Sequence, residues 1–404
     1  MKTNNISRRK FIENSGIAIS GLAIWPNNLN FLHRKSANEV LNIGIVGVGS
    51  RGKGLLHLLK DVENVKITAI CDLREDHIAQ AKKMLAYEVK TFHDYKDLMK
   101  NEQLHAVIIA TPLYLHYPMA VSALDHGKHV YLEKAISYDI PQAIDLVNRV
   151  EKSKLIFQVG HQYRYFGLYR RIKEIIDKGW LGKVLHYECQ YHRNSNWRFD
   201  VPPGLEERFV NWRMYKESSG GLMTELCGHP IDVVNWMVGS HPLRVNGIGG
   251  VDYWKDGREN FDNVRVVYEY PNGIKSSVSS ILSNGYKGYG IRILGDKGSI
   301  IVERDQAFLF SENIKKEMGT VDGVTGATVK AHYGEGEILD YSDLDPLKKD
   351  PTYYALADFC ACIRSGDTPA ADVYTARDVA IACHMANIAM ETHQEQQWKP
   401  EYSR

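Results

Sequence analysis

Residues 41 to 60 read LNIGIVGVGSRGKGLLHLLK: an apolar run, then Gly47, Gly49 and Gly52 in GxGxxG spacing, then apolar residues at helical intervals. Glycines in this spacing carry weight only between a strand and a helix, and that context is present. Gly47 permits the tight turn, Gly49 lets backbone approach a pyrophosphate, and Gly52 allows the helix to pack closely on its strand. Ser50 and Arg51 fall in the first helical turn, where free amides and the helix dipole favour phosphate. The pattern predicts a parallel α/β domain that binds a dinucleotide.

A second apolar run, VKITAICD, ends at Asp72, where a carboxylate can accept from the adenine-ribose hydroxyls and so favours NAD. Arg74, two residues on, could pair with a 2′-phosphate and keeps NADP as the alternative. A cap on the following helix is the competing role for Asp72. Two further runs close at Ala110 and at Glu133, and ligands of parallel sheets bind beyond such carboxyl ends. Thr111, Pro112, His116, Glu133 and Lys134 therefore join the candidate cofactor site.

Fifty Lys and Arg against forty-nine Asp and Glu leave a net charge of +1, which favours no polyanion, and nucleic acid is not an expected partner. The six cysteines show no CxxC or Cys/His metal spacing and read as buried thiols, with no metal expected. Near the start, SRRKFI precedes an uncharged stretch from Ser15 to Trp25, the order of a signal peptide. The RRKF tetrad is similar to the twin-arginine export signal, which predicts a periplasmic or otherwise exported protein. No segment reaches the ~18 apolar residues of a membrane span, so no integral membrane partner is expected.

Beyond residue 160 the pattern changes. VLHYECQYHR, VRVVYEY, IKSSVSSIL and GIRILGDKGSIIVE read as strands joined by turns at PNG and GDKG, an open and mainly antiparallel sheet. In GGLMTELCGHPIDVVNWMVG, the helical period places Glu225, His229 and Asp232 on one face. Glu225 could then orient His229, leaving the other ring nitrogen for a substrate proton. Pro230 either kinks this helix or marks its first turn, and Asp232 is either a second orienter or a structural partner. The loop from Tyr191 to Gly221 is dense in Trp, Arg, Asn and His, as carbohydrate recognition requires. His192, Trp197, Arg198, Trp212 and Arg213 are candidate sugar contacts, with the interior of a long ordered loop as the other reading. Two helices, up to a stop at Gly366 and on to about Glu391, are assigned structure rather than catalysis.

Taken in order, GVGSRG, Asp72, TPLYLH at 111 to 116, EKAIS at 133 to 137, GHQYRY at 160 to 165 and GGLMTELCGHPID at 220 to 232 resemble the Gfo/Idh/MocA oxidoreductase family over residues 41 to 391. The family's EKP appears as Glu133, Lys134 and Ala135, and its Asp-xxx-His pair as Glu225 and His229. The resemblance implies three divisions: a signal and linker over 1–39, a Rossmann domain over 40–160, and a substrate and oligomerisation domain of α+β type over 161–404. It implies a homo-oligomer, with Lys134 beside nicotinamide and substrate and His229 as the acid/base. Tyr163 and Arg164 join the candidate substrate contacts with Asp232. The activity implied is NAD(P)-dependent oxidation of a hydroxyl of a sugar or glycoside on a tightly held cofactor. The alternative is a family 109 type glycoside hydrolase that uses transient C3 oxidation and elimination.

Overall fold

A computed structural model describes residues 39–314, 316–321 and 324–403. The twin-arginine segment lies outside the described residues. β1 (Leu41–Val46), β2 (Val65–Cys71), β3 (Lys90–Phe92), β4 (Ala106–Ile109), β5 (His129–Leu132) and β6 (Phe157–Val159) form one parallel sheet in the order β3-β2-β1-β4-β5-β6. β1, β4 and β6 are buried on both faces, which is why they read as unbroken apolar runs rather than alternating ones. α1 (Ser50–Leu59) follows the glycine loop, and α2 (Glu75–Leu85) follows Asp72. α3 (Tyr95–Met99), α4 (His116–Asp125) and α5 (Ile140–Ser153) complete the crossovers, and Asp139 caps α5 by accepting from the Gln142 amide at 2.8 Å.

After α6 (Gly167–Asp177) and β7 (Val184–Tyr191), the chain passes through the aromatic loop to α7 (Gly228–Val238). Next come β8 (Arg244–Gly250), β9 (Asn263–Glu269), β10 (Lys275–Ile281), β11 (Tyr289–Gly295), β12 (Gly298–Glu303), β13 (Gln306–Ser311) and the hairpin of β14 (Lys316–Val321) and β15 (Val324–Ala331). β16 (Glu337–Ile338), α8 (Pro351–Ser365), α9 (Val373–Thr392) and β17 (Gln396–Gln397) follow. Nine of these strands form one sheet in the order β16-β13-β12-β11-β7-β10-β9-β8-β17. Its pairings are antiparallel except β7 with β10. β9 alternates exposed and buried residues because only one face is covered, by α7 and α9. The fold is thus the Rossmann domain plus mainly antiparallel α+β domain expected from the sequence.

The last helices depart from simple chain order. α9 bridges the two domains, packing on β8 of the second and on α5 of the first, while α8 returns to the first, where Tyr354, Phe359 and Cys360 share a core with Leu55, Leu56 and Leu59 of α1. Gln158 Nε2 donates to the Ala355 carbonyl at 2.7 Å, and the Tyr165 hydroxyl donates to Asp358 at 3.0 Å. Gly366 ends α8 with φ of 75°, the left-handed stop expected there. All six cysteines are free and buried.

Candidate functional site

The glycine loop has the geometry its residues predict. Gly47 has φ of +83°, and a Cβ there would lie 2.6 Å from the Ala110 carbonyl oxygen; a Cβ on Gly52 would lie 1.8 Å from the Gly47 oxygen. α1 begins without a side-chain cap and without an acidic residue in its first turn, so its amide end is available to an anion. Arg51 Nε donates to Glu133 Oε1 at 2.8 Å, while Arg51 Nη2 is buried without a hydrogen-bond partner among the described residues. A free glycine cradle, open amides and an orphaned guanidinium nitrogen fit a pyrophosphate.

Asp72 braces the backbone on both sides. Its Oδ2 accepts from the Val48 amide at 2.8 Å and its Oδ1 from the Arg74 amide at 2.9 Å, so the carboxylate ties the glycine loop to the turn that opens α2. Arg74 is held bidentately by Asp76, with Nε–Oδ1 of 2.9 Å and Nη2–Oδ2 of 2.7 Å. Thr111 and Pro112 sit at the end of β4, as expected. His116 is buried, with its ring nitrogens 2.6 Å from the Ala135 carbonyl and 2.9 Å from the Thr111 carbonyl. It joins the loops after β4 and β5, and its ring is spent on backbone rather than turned to a cofactor.

Lys134 crosses to the second domain. Its Nζ donates to the Thr224 carbonyl at 3.1 Å and to the Glu225 carbonyl at 2.6 Å. Those carbonyls belong to a π-helical turn, Met223–Cys227, that runs into α7. Pro230 supplies no amide hydrogen to this junction, which leaves it with more carbonyls than donors, and the ammonium makes up the difference. The Lys134–Ala135 peptide, where the family's usual proline would stand, is cis.

The π turn also corrects the expected role of Glu225. Even α-helical spacing would have aimed its carboxylate at His229, but the wider turn shifts the face. Glu225 instead accepts from Arg213 Nε at 2.9 Å. Burial alone would raise its pKa, yet Arg213 and Lys134 outweigh burial and hold it below the ordinary carboxylate value. His229 is packed beside Tyr163 and Tyr191, with ring centroids 5.2 and 6.2 Å away. Burial drives its pKa well below 6.5, and Lys134, His161, Arg51 and Arg193 push the same way, so the ring is neutral.

Asp232 resolves to a buried ion pair. Arg164 grips it through Nε at 2.8 and 3.1 Å and through Nη2 at 2.7 Å. The loop candidates are largely engaged with one another. Arg198 bonds Glu207 and the Asp256 carbonyl, the latter at 2.9 Å, and Arg213 lies over the Trp212 ring at 4.2 Å. Trp197 packs at the edge of the main core and lines a small pocket with Arg213, Leu222 and Arg258. His192 faces away: it shares with Gln190 and Ser279 the sheet face opposite Cys189 and Tyr191, and its Nε2 is 3.3 Å from the Ser279 hydroxyl. The period of two along β7 contains this result, since adjacent residues point to opposite faces.

Tyr191, Arg193 and His161 lie near His229, and Tyr169 and Tyr289 pack against Tyr163; Tyr169, Tyr191, Arg193 and Tyr289 fall outside the sequence-derived set. Tyr163, Tyr169, Tyr191 and Tyr289 form a contiguous aromatic wall with centroid spacings of 5.0 to 6.5 Å. Tyr191 alternates with Cys189 on the covered face, a signal present in the strand pattern. A cavity of about 950 Å³ lies apart, bordered by Tyr138, Ile144, Phe261 and Tyr402, and does not include Lys134 or His229. Among the described residues, no cluster of three or more His, Cys, Asp or Glu is placed to hold a metal.

Residues 41–161 match an oxidoreductase family with an NAD-binding Rossmann fold, and residues 169–301 match the GFO/IDH/MocA C-terminal domain. The chain is 31% identical over 212 residues to a 2,7-anhydro-N-acetylneuraminate hydratase of Mediterraneibacter gnavus, covering 52% of this chain and 53% of the relative. It is 31% identical over 181 residues to a glycosyl hydrolase family 109 protein of Shewanella amazonensis, covering 43% and 39% respectively. These alignments span about half or less of the relatives' length. A levoglucosan dehydrogenase solved with NADH and L-sorbose superposes with a TM-score of 0.72 at 20% identity, over 90% of this chain and all of that one. That likeness is one of fold, and with the two matched domains it agrees with the glycine cradle and the sheet topology: the chain belongs to the GFO/IDH/MocA oxidoreductase family and carries its NAD-binding Rossmann domain.

Proposed function

We propose that this protein oxidises a hydroxyl of a sugar or glycoside with NAD. The observation that carries the reading is the convergence of Lys134, from the end of a Rossmann strand, and a neutral His229, from the second domain, beside an aromatic wall. The glycine loop, Arg51, Asp72 and Glu133 would hold the cofactor, and NAD when bound supplies a hydride acceptor. His229, unprotonated at neutral pH, is prepared to take the hydroxyl proton. The Lys134 ammonium, anchored by two carbonyls, would polarise the same oxygen. Tyr163 and Tyr191 offer flat apolar faces for the C–H patches of a pyranose. Asp72 and the occupied Arg74 favour NAD over NADP.

A second reading rests on the relatives named hydratase and family 109 hydrolase. In it the same residues support transient oxidation at C3 and elimination, with no net redox change. Incubating the NAD-loaded protein with a panel of sugars and glycosides separates the two. Net reduction with a keto-sugar product supports the first, release of aglycone without net reduction supports the second, and neither product on any member rejects both.

Two further proposals concern setting. Residues 7–12 and the apolar stretch after them would serve as a twin-arginine signal; Arg8→Lys with Arg9→Lys should then leave folded protein in the cytoplasm, and unchanged fractionation would rule it out. The open face of the nine-stranded sheet exposes Ile248 and Val267, which supports pairing with a second copy of the chain. Light scattering should give a multiple of the monomer mass, reduced by Ile248→Glu; a monomeric wild type would reject the pairing.

A further inference from the structure

β6 ends at Val159, and Gly160 then passes Glu133 so closely that a Cβ would come within 2.9 Å of its carboxylate oxygen. His161 is the first side chain beyond this carboxyl end, the side of a parallel sheet on which ligands bind. The residue is only 2% exposed, and neither ring nitrogen has a hydrogen-bond partner among the described residues. Buried imidazoles are ordinarily satisfied, so two orphaned nitrogens at one ring require an explanation.

The surroundings supply half of one. Asp232 Oδ2 lies 3.9 Å from Nδ1, and Arg164 holds that carboxylate rigidly. Glu133 and Lys134 act on the ring from the first domain, and the ring in turn acts on His229. The carboxylate–imidazole neighbours of this site are therefore Asp232 and His161, in place of the Glu225 and His229 suggested by sequence spacing. A neutral imidazole has one donor and one acceptor nitrogen. With Asp232 facing Nδ1, the proton belongs there and the Nε2 lone pair is left to accept.

We infer that His161, oriented by Asp232, contacts ligand directly, its Nε2 accepting a hydrogen bond from a neutral donor on the bound sugar or on the nicotinamide carboxamide. The inference rests on the oxidoreductase reading of the same site and adds a residue to it. Asp232 thereby acts as a positioning residue, through His161.

The experiment compares full-length wild type, His161→Phe and His161→Gln. It measures NADH affinity by fluorescence titration, sugar KM and kcat, and the sugar-induced shift in thermal midpoint of the NADH complex, which needs no turnover. His161→Phe should weaken one ligand by about tenfold or more while the thermal midpoint of the free protein does not fall, because no hydrogen bond within the protein is lost. His161→Gln, which retains an acceptor oxygen, should recover part of the loss and serves alone if the phenylalanine variant does not fold. A weaker sugar with unchanged NADH places the donor on the sugar, and weaker NADH places it on the carboxamide. Both affinities within twofold of wild type in both variants would mean that the ring is served by trapped water or by nothing, and would overturn the inference. A wild type that binds NADH and sugar yet oxidises no sugar would reject the oxidoreductase reading while leaving the two affinities to decide the role of His161.

Discussion

Replacing Asp72 with Ala should change cofactor choice as well as cofactor affinity, and the structure lets the two be separated. The carboxylate accepts from the Val48 and Arg74 amides at 2.8 and 2.9 Å, so its loss loosens the glycine loop for any dinucleotide. That component is common to NAD and NADP. The adenine-ribose contact is not common, because the 2′-phosphate of NADP would meet the carboxylate as a like charge. A hydrogen bond to a charged group contributes about 1.5–3 kcal/mol, so the NAD-specific component corresponds to roughly 10- to 150-fold in Kd. Titrating both cofactors into wild type and Asp72→Ala, we expect the NAD-over-NADP preference to fall by at least about tenfold. Arg74→Ala should leave NAD binding nearly unchanged, since its guanidinium is already paired with Asp76. Equal losses for NAD and NADP in Asp72→Ala would refute the ribose contact and leave Asp72 a purely local brace.

His229→Ala should lower turnover on the best sugar by about 10²–10⁴-fold with NADH affinity unchanged; near-normal turnover would remove it as the base. Lys134→Ala should cost a similar factor, and the double variant should lose less than the product of the two, because both groups act on one hydroxyl. Gly52→Ala should abolish cofactor binding, since its Cβ would sit 1.8 Å from the Gly47 oxygen; retained binding by titration would show that the loop is not the cradle. Burial holds the pKa values of His116, His161, His229 and His384 below 6.5 in the folded state. The unfolded chain therefore binds more protons once pH drops under 6.5, so stability is full above that value and declines below it, by up to about 1.4 kcal/mol per pH unit for each histidine. A thermal midpoint that does not fall between pH 7 and pH 5 would contradict this.

Much of the candidate site is legible in sequence because its parts are local. The glycine loop needs only a strand, a turn and a helix in sequence, and Asp72, Thr111 and Lys134 each stand at the end of a readable apolar run. His229 is a candidate from its own segment alone. His161 was visible as the residue after β6, but a histidine there has no distinguishing spacing. What marks it is burial without a partner, and that depends on Glu133, Lys134 and Asp232 arriving from three other segments.

The amino-acid sequence determined the element order, the parallel Rossmann sheet, the open antiparallel sheet and the strand ends at which the candidate residues stand. These follow from hydrophobic period and turn residues, which act over a few positions along the chain. Only the tertiary structure decided which charge meets which. Glu225 went to Arg213 because a π turn shifted its face, Asp232 went to Arg164 and lies beside His161, and His192 turned to the open face of the sheet. α8, the last helix but one, returned to the first domain by burying apolar residues against α1, a packing likewise set by residues distant in sequence. A charged or polar side chain is buried only with partners that offset its desolvation, and those partners come from residues distant in sequence, so no spacing rule along one segment can name them.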